Sequence, residues 1–339
     1  MSLFKKKSVV GIDMDAFEVR AAEIGGTSLK PYLLGLGRAA LPKGVVRDGK
    51  VVRPDALRDI IAKLWTDSRF KSRDVILGVS NQDVLVRFAL IPKAPEDKLD
   101  SLIRFQAQDF LPIPVSEVEF DYMVLNEVHG EQAKMLRVLL VAGRRSMLEG
   151  FLQAIGGAGL RLLDIDVSIL ALARLVLGYE KTRTLAAVNY TKEQISMIIM
   201  DQGFPALARI LAVNQTSQAQ DIYYGGLAEE EAAAASEQAG MEDNTGILSD
   251  AVVGEIWSSI SYFQSQNSGS VVEKCLIAAG GRPDIPYRLR EKLGINVEVI
   301  DPLNGLNLHR PSENTTIGGA SDFSTSISLA LRGLEGDKA

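Results

Sequence analysis

The sequence is poor in the groups that build metal and redox centres. A single cysteine, Cys275, stands among 339 residues, so no internal disulfide forms. It lies in the apolar run CLIAAGG and reads as a small core residue. There are two histidines, His129 and His309, far apart in the chain. With one cysteine they do not make a zinc site, and no spacing supports a Cys–His nucleophile. No apolar stretch is long enough to span a bilayer. The first residues, MSLFKKK, are basic but have no hydrophobic segment behind them, so they do not read as a signal peptide. Lysines near an anionic surface contribute roughly 1 kcal/mol each, and three of them are too few for stable anchoring. The tail reads as solvated. A net charge of -6 argues against general nucleic-acid binding. A cytoplasmic protein is expected.

What is present is ordinary for a globular chain, with 46% hydrophobic and 24% charged residues. The length suits two to three domains or one two-lobed body. A repeat of topology organises it. VVGID, EVRAAEI and LKPYLLGLGRAAL read as three strands joined by tight turns, and TLAAVNY, QISMIIM and PALARILAV repeat the pattern. After the first set, Pro54 opens a helix whose Leu57, Ile60, Ile61 and Leu64 share one face. After the second, helices are expected near Ser217–Gln238 and Leu248–Gln266. The next strands, DVILGVS and KCLIAAGG, are apolar throughout, as parallel strands covered on both faces are. This predicts an α/β protein of two β-β-β-α-β lobes with a cleft between them.

An insertion lies inside the first lobe. DVLVRFALIP reads as a strand, and APEDKLDSLIRFQAQDFLP as a helix opened by Pro95 and closed by Pro112. EVEFDYMVL and KMLRVLLVAG are strands, and MLEGFLQAIGGAG is a helix stopped by glycine. The β-α-β-β-α order implies a small subdomain. LAEEEAAAASEQAG reads as a solvated helix face, the stretch from Asn304 to Gly319 as an exposed loop, and FSTSISLALRGL as a closing helix.

This order resembles the actin-like fold, with its duplicated RNase H-like lobes, shared by actin, heat-shock chaperones and the division protein FtsA. The insertion, in this position, is similar to that of the FtsA and PilM branch. The strongest local likeness is IRFQAQDFLPIPVSEVEFDYMVL, a helix running into a Pro-x-Pro turn and a strand with an acidic-Tyr pair. GKVVRPDALRDIIAKL, AAGGRPDIPYRLREKLGINVEV and SISLALRGL also resemble segments of the PilM family of type IV pilus assembly proteins. GspL-type secretion proteins are a less similar relative. The resemblance implies a first core over 1–83 and 160–181 and an inserted subdomain over 84–159. It implies a second core over 182–214 and 271–339, with a helical subdomain over 215–270. It also implies a scaffold at the inner face of the inner membrane. Its partner would be the N-terminal cytoplasmic peptide of a PilN-like membrane protein, held in a groove between the insertion and the first core, within the pilus alignment complex. Homo-oligomers are a further implied partner.

The resemblance also implies a site for ATP and Mg²⁺, and most of its pattern is altered here. In such folds two hairpins hold the phosphates through backbone N–H groups in tight, Gly-rich turns. Asp13 stands at the metal aspartate. Asp15 replaces the glycine, and Ala16 and Phe17 replace serines. A carboxylate facing a phosphate at ~4 Å and an effective dielectric near 20 is repelled by about 4 kcal/mol per charge pair. Asn189 replaces the second aspartate and carries no charge. Lys192 beside Glu193 reads as solvated. Ser168 stands where the family has the glutamate near the attacking water, and serine is a poor base at neutral pH. Gly280 and Gly281 stand at the adenosine turn, with Arg282 in place of a third glycine, and a plain strand-to-helix turn fits them equally. Phosphoryl transfer depends on these positioning groups, so weak or absent hydrolysis is expected. The alternatives are an ATP-binding actin-like switch of pilus or type II secretion assembly, or a sugar-kinase-like enzyme. The kinase would need a base opposite the phosphates, and none is evident.

Overall fold

The computed structural model describes residues 8–129, 134–178, 183–191, 194–212, 244–267, 269–278, 284–304, 306–308 and 319–335. Strands β1 (Ser8–Met14), β2 (Glu18–Thr27) and β3 (Lys30–Ala40) form the first meander. A small hairpin, β4 (Val46–Arg47) and β5 (Lys50–Val51), leads into α1 (Pro54–Asp67) and β6 (Asp74–Val79). Pro54 occupies the first turn of α1, where its missing N–H is not needed, and Asp55 faces the positive end of the helix dipole. Leu57, Ile61, Leu64 and Trp65 are the buried face. The Trp65 indole also donates to the Ser72 carbonyl at 2.8 Å.

The insertion follows as β7 (Val84–Pro92), α2 (Glu96–Phe110), β8 (Val118–His129) and β9 (Lys134–Arg144). Then come α3 (Arg145–Gly157), β10 (Arg161–Val167) and α4 (Ser168–Leu177). The second lobe holds β11 (Leu185–Tyr190), β12 (Gln194–Asp201), β13 (Phe204–Ala212) and α5 (Asn244–Gln266). It continues with β14 (Lys274–Ala278), α6 (Asp284–Leu293) and β15 (Asn296–Val299); β16 (Asn307–Leu308) and α7 (Ser324–Glu335) close the chain.

The two main sheets have one topology. The first runs β10-β6-β1-β2-β3-β16 and the second β13-β12-β11-β14-β15. In each, the first three strands are antiparallel, and the fourth and fifth add in parallel beside the first. The fold is therefore the duplicated, actin-like one. Burial on both faces accounts for the apolar runs in β6 and β14, as the sequence predicts. The predicted helix near Leu248 begins earlier, at Asn244. The expected helix over Ser217–Gln238 lies outside the described residues, as does most of the loop expected from Asn304 to Gly319; where that stretch is described, Asn307–Leu308 forms a short strand instead.

The strand alternation of the inserted sheet, ordered β7-β9-β8, gives it two apolar faces. Leu85, Ala89 and Ile91 meet Ile103 and Ala107 of α2. Val84, Val86, Phe88 and Leu139 join the main core, which reaches Ala208 of the second lobe. Arg137 of β9 donates to the Pro205 carbonyl at 3.2 Å, and Lys50 pairs with Asp83 at 2.7 Å. The insertion is thus packed against both lobes.

Two elements sit differently from the sequence expectation. The pattern gave α3 to the insertion, but Met147, Leu148, Phe151 and Ile155 pack into the core with Leu57 and Ile61 of α1. By the duplication, α3 is the counterpart of α6, the crossover between the fourth and fifth strands. Its apolar face has nowhere to go on the inserted sheet, because α2 already covers one side and the main core the other. The chain after β15 was assigned to the second core, but it returns to the first. There β16 pairs in parallel with β3, and Ile327, Leu329, Ala330 and Leu334 of α7 pack on Val9, Ala22, Ile24 and Ile76. Small residues permit the close approach. A Cβ on Gly11 would lie 1.9 Å from the Ser326 carbonyl oxygen. The hydroxyls α7 buries are satisfied, Ser326 donating to the Arg20 carbonyl at 3.1 Å and Ser328 to that of Ala171 at 2.5 Å.

Cys275 is buried in the second-lobe core, and burial pushes its thiol up to about 12. The thiolate is the reacting form. At pH 8 the folded protein is therefore expected to react with a thiol-disulfide reagent at least about a hundredfold more slowly than the urea-unfolded chain. Equal rates would show an open path to the sulfur.

Candidate functional site

The two hairpins face each other across a cleft of about 230 Å³. Asp13, Asp15, Arg20 and Ser168 line it from the first lobe, and Asn189, Thr191, Gln194 and Ser196 from the second. The structure thus places Asp13, Asp15 and Asn189 in one cleft. Gly280, Gly281 and Arg282 lie outside the described residues, as do Lys192 and Glu193.

The hairpins are built alike, position for position. Asp13 pairs across its hairpin with Arg20, and Asn189 with Ser196. The Asp15 N–H donates to the Glu18 carbonyl at 3.1 Å, and the Thr191 N–H to that of Gln194 at 2.8 Å. In each turn the first residue's side chain then accepts from the backbone. Asp15 Oδ1 accepts from the N–H of Phe17 at 2.7 Å and of Glu18 at 3.0 Å. Thr191 Oγ1 accepts from the N–H of Gln194 at 3.2 Å. These are Asx- and ST-type turns. The charged set Asp13, Asp15, Glu18 and Arg20 of one lobe thus corresponds to the neutral set Asn189, Thr191, Gln194 and Ser196 of the other.

Arg20 is the residue that sequence reasoning passes over. It is 8% exposed within a strand otherwise buried and mostly apolar. Its guanidinium meets three carboxylates: Nε donates to Glu18 at 2.7 Å, Nη2 to Asp15 at 2.5 Å and Nη1 to Asp13 at 3.5 Å. Burial alone would lower the guanidinium's affinity for its proton, but Asp13, Asp15 and Glu18 together raise it. Burial pushes the Asp13 carboxyl up to about 6, against the pull of Arg20 and the Ser168 hydroxyl. Ser168 Oγ donates to Asp13 Oδ1 at 2.8 Å, so at the expected glutamate position the side chain holds the aspartate. The signal in the sequence was a lone arginine in a buried strand, opposite an acid across a tight hairpin.

The neutral hairpin instead reaches across the cleft. Gln194 Nε2 donates to Ser80 Oγ at 2.5 Å and to Ser196 Oγ at 2.8 Å, and the two serine hydroxyls lie 3.4 Å apart. Ser80 follows β6, so the contact joins the lobes directly.

The cleft's described residues do not fit a magnesium polyphosphate. Two of the turn N–H groups that would cradle a phosphate already bond to Asp15. Asp13 is shared between the Ser168 hydroxyl and a cation belonging to the chain, Arg20. No group of three or more His, Cys, Asp or Glu side chains able to hold a metal is found among the described residues. Among them, too, no helix is long and apolar enough to cross a membrane.

The sequence matches, over residues 11–334, the family described as type IV pilus assembly protein PilM. A solved structure described as a PilM–PilN type IV pilus biogenesis complex is similar, with 24% identity and a TM-score of 0.77. That match covers 96% of this chain and 98% of the other. The ethanolamine utilization protein EutJ from Carboxydothermus hydrogenoformans has a TM-score of 0.50 at 11% identity. It covers 96% of this chain and 89% of its own, and shares the fold alone. The family match runs from the first hairpin, through the insertion, into the helix that closes the first lobe, so the chain belongs to the type IV pilus assembly protein PilM family.

Proposed function

We propose that this protein is a scaffold of the type IV pilus machinery. It docks the N-terminal cytoplasmic peptide of a PilN-like inner-membrane protein and lies peripherally at the inner face of that membrane. The observation that carries the reading is family membership over residues 11–334, insertion included. The fold shared with the chain of the PilM–PilN complex supports it. The docking groove is the one between the inserted sheet and the first lobe. A rigid scaffold is also what the packing favours, because the insertion shares its core with both lobes. ATP hydrolysis is weak or absent in this reading. The self-bonded turns leave phosphate no cradle at the first hairpin, and Ser168 is already engaged with Asp13.

The test is calorimetric titration of the full chain with a synthetic peptide copying the N-terminal cytoplasmic segment of a PilN-like protein from the same organism. Saturable binding with a Kd of about 1–50 µM is expected, with none for a scrambled peptide. No heat at peptide concentrations up to about 1 mM would sink the reading. In parallel, ATP turnover by the wild type should not exceed that of Asp13→Ala. Turnover that Asp13→Ala abolishes would favour the ATPase switch instead.

A further inference from the structure

We propose that Arg20 is a built-in cation in the nucleotide cleft, its guanidinium standing among Asp13, Asp15 and Glu18 where an actin-like site would hold a divalent metal. Asp15 is its complement, a built-in anion that occupies the turn's N–H groups in place of a phosphate. The metal and phosphate positions at the first hairpin are thereby taken by the chain's own side chains, and the lobes hold together without nucleotide.

Three observations carry this. First, the arginine uses three different nitrogens on three different carboxylates. A planar guanidinium has five donors in a fixed fork and keeps its charge at any physiological pH, so it can serve several acids at once. Second, the side of Asp13 toward β6 is closed to a hydrated ion. A Cβ placed on Gly78 would lie 2.7 Å from Ser168 Oγ and 3.2 Å from Asp13 Oδ1, so the backbone of β6 walls that side. Magnesium demands octahedral oxygen ligands at about 2.0–2.1 Å and retains several waters. Third, the other lobe shows what the same hairpin does with uncharged residues at those positions. At the positions of Asp13, Glu18 and Arg20 it carries Asn189, Gln194 and Ser196, and the last two bond to each other and to Ser80. Charge is absent from those positions of the second hairpin, and at the same positions of the first it is balanced.

Removing the arginine should turn the acids into a metal site. Thermal unfolding of the full chain is followed with MnCl₂ or MgCl₂ added, for the wild type, Arg20→Gln, Arg20→Lys and Arg20→Gln with Asp13→Asn. The wild type and Arg20→Lys, which keeps the charge, should be unmoved by either metal. Arg20→Gln should melt lower and regain about 3–5 °C at a Mn²⁺ concentration fifty times its dissociation constant. The added Asp13→Asn should abolish that gain. A wild type that Mn²⁺ or Mg·ADP stabilises as it does Arg20→Gln would overturn the proposal. So would an Arg20→Gln chain, folded or not, that gains nothing from Mn²⁺, and so would a metal response in Arg20→Lys. None of these readings involves the membrane-protein peptide, so docking and self-occupancy fail or stand separately.

Discussion

Replacing Gly11 with alanine is expected to lower stability by about 3 kcal/mol or more, at the top of the range for overpacking. The added Cβ would stand 1.9 Å from the Ser326 carbonyl oxygen, 2.7 Å from the Ala330 nitrogen and 2.9 Å from Leu329 Cβ. Two of these three are helix backbone, and no rotamer moves backbone aside. Relief requires α7 to lift from the sheet, which loosens Ile327, Leu329 and Ala330 from Val9, Ala22 and Ile76. It also draws Ser326 away from the Arg20 carbonyl, so the damage reaches the cleft. A second glycine gives the control. In α5, a Cβ on Gly254 would meet nothing within 4 Å, and Gly254→Ala should be neutral or stabilising by up to about 1 kcal/mol through helix propensity. Urea unfolding of both variants decides the matter. A Gly11→Ala midpoint close to the wild type's would mean that α7 does not press on β1 in solution.

The duplication was legible because its signals are local. Strand–turn–strand periodicity, Pro54 at a helix start and apolar runs for doubly covered strands are each written within ten or so residues. The departures concern which lobe an element packs on, and no local pattern carries that. The apolar face of α3 is the same whether it meets the inserted sheet or α1. What decides is that α2 has already taken the sheet, a fact about competition among distant segments. The small residues of α7 were equally ambiguous. Ser326 and Ser328 look like a polar face until the helix is seen with β1 on one side and α4 on the other, each hydroxyl bonded to a carbonyl. At the cleft, the sequence identified Asp13, Asp15 and Asn189 by comparison with a pattern, and it framed Asp15 as a charge opposing phosphate. The turn gives that carboxylate a different task, because Oδ1 accepts from its own hairpin's N–H groups. Arg20 lies outside the strand-Asp-x-Gly-Ser-Ser pattern compared at the hairpin and so drew no notice. The cross-strand register with Asp13 makes its role plain.

Arg20→Met is expected to cost about 3–5 kcal/mol, the range for breaking a buried ion pair from one side. The arginine side chain is 9% exposed, against 8% for Asp13, 13% for Asp15 and 26% for Glu18. Glu18 retains enough water to lose little. Asp13 and Asp15 would be left as adjacent carboxylates with no cation between them. The loss should therefore come mainly from stranded charge and only secondarily from absent packing, since methionine fills much of the arginine stem's volume. That distinction is measurable. Asp13→Asn in the Arg20→Met background should recover part of the loss, because it removes a buried charge. In the wild-type background the same substitution should destabilise, because it leaves the guanidinium short of a partner. A coupling energy of about 1–3 kcal/mol from the double-mutant cycle is the expected result. Additive effects would mean that water, and not Arg20, balances Asp13. The cycle bears on the scaffold as well. If the cluster is what fixes the first hairpin, Arg20→Met should also weaken the hold of the facing hairpin on Ser80.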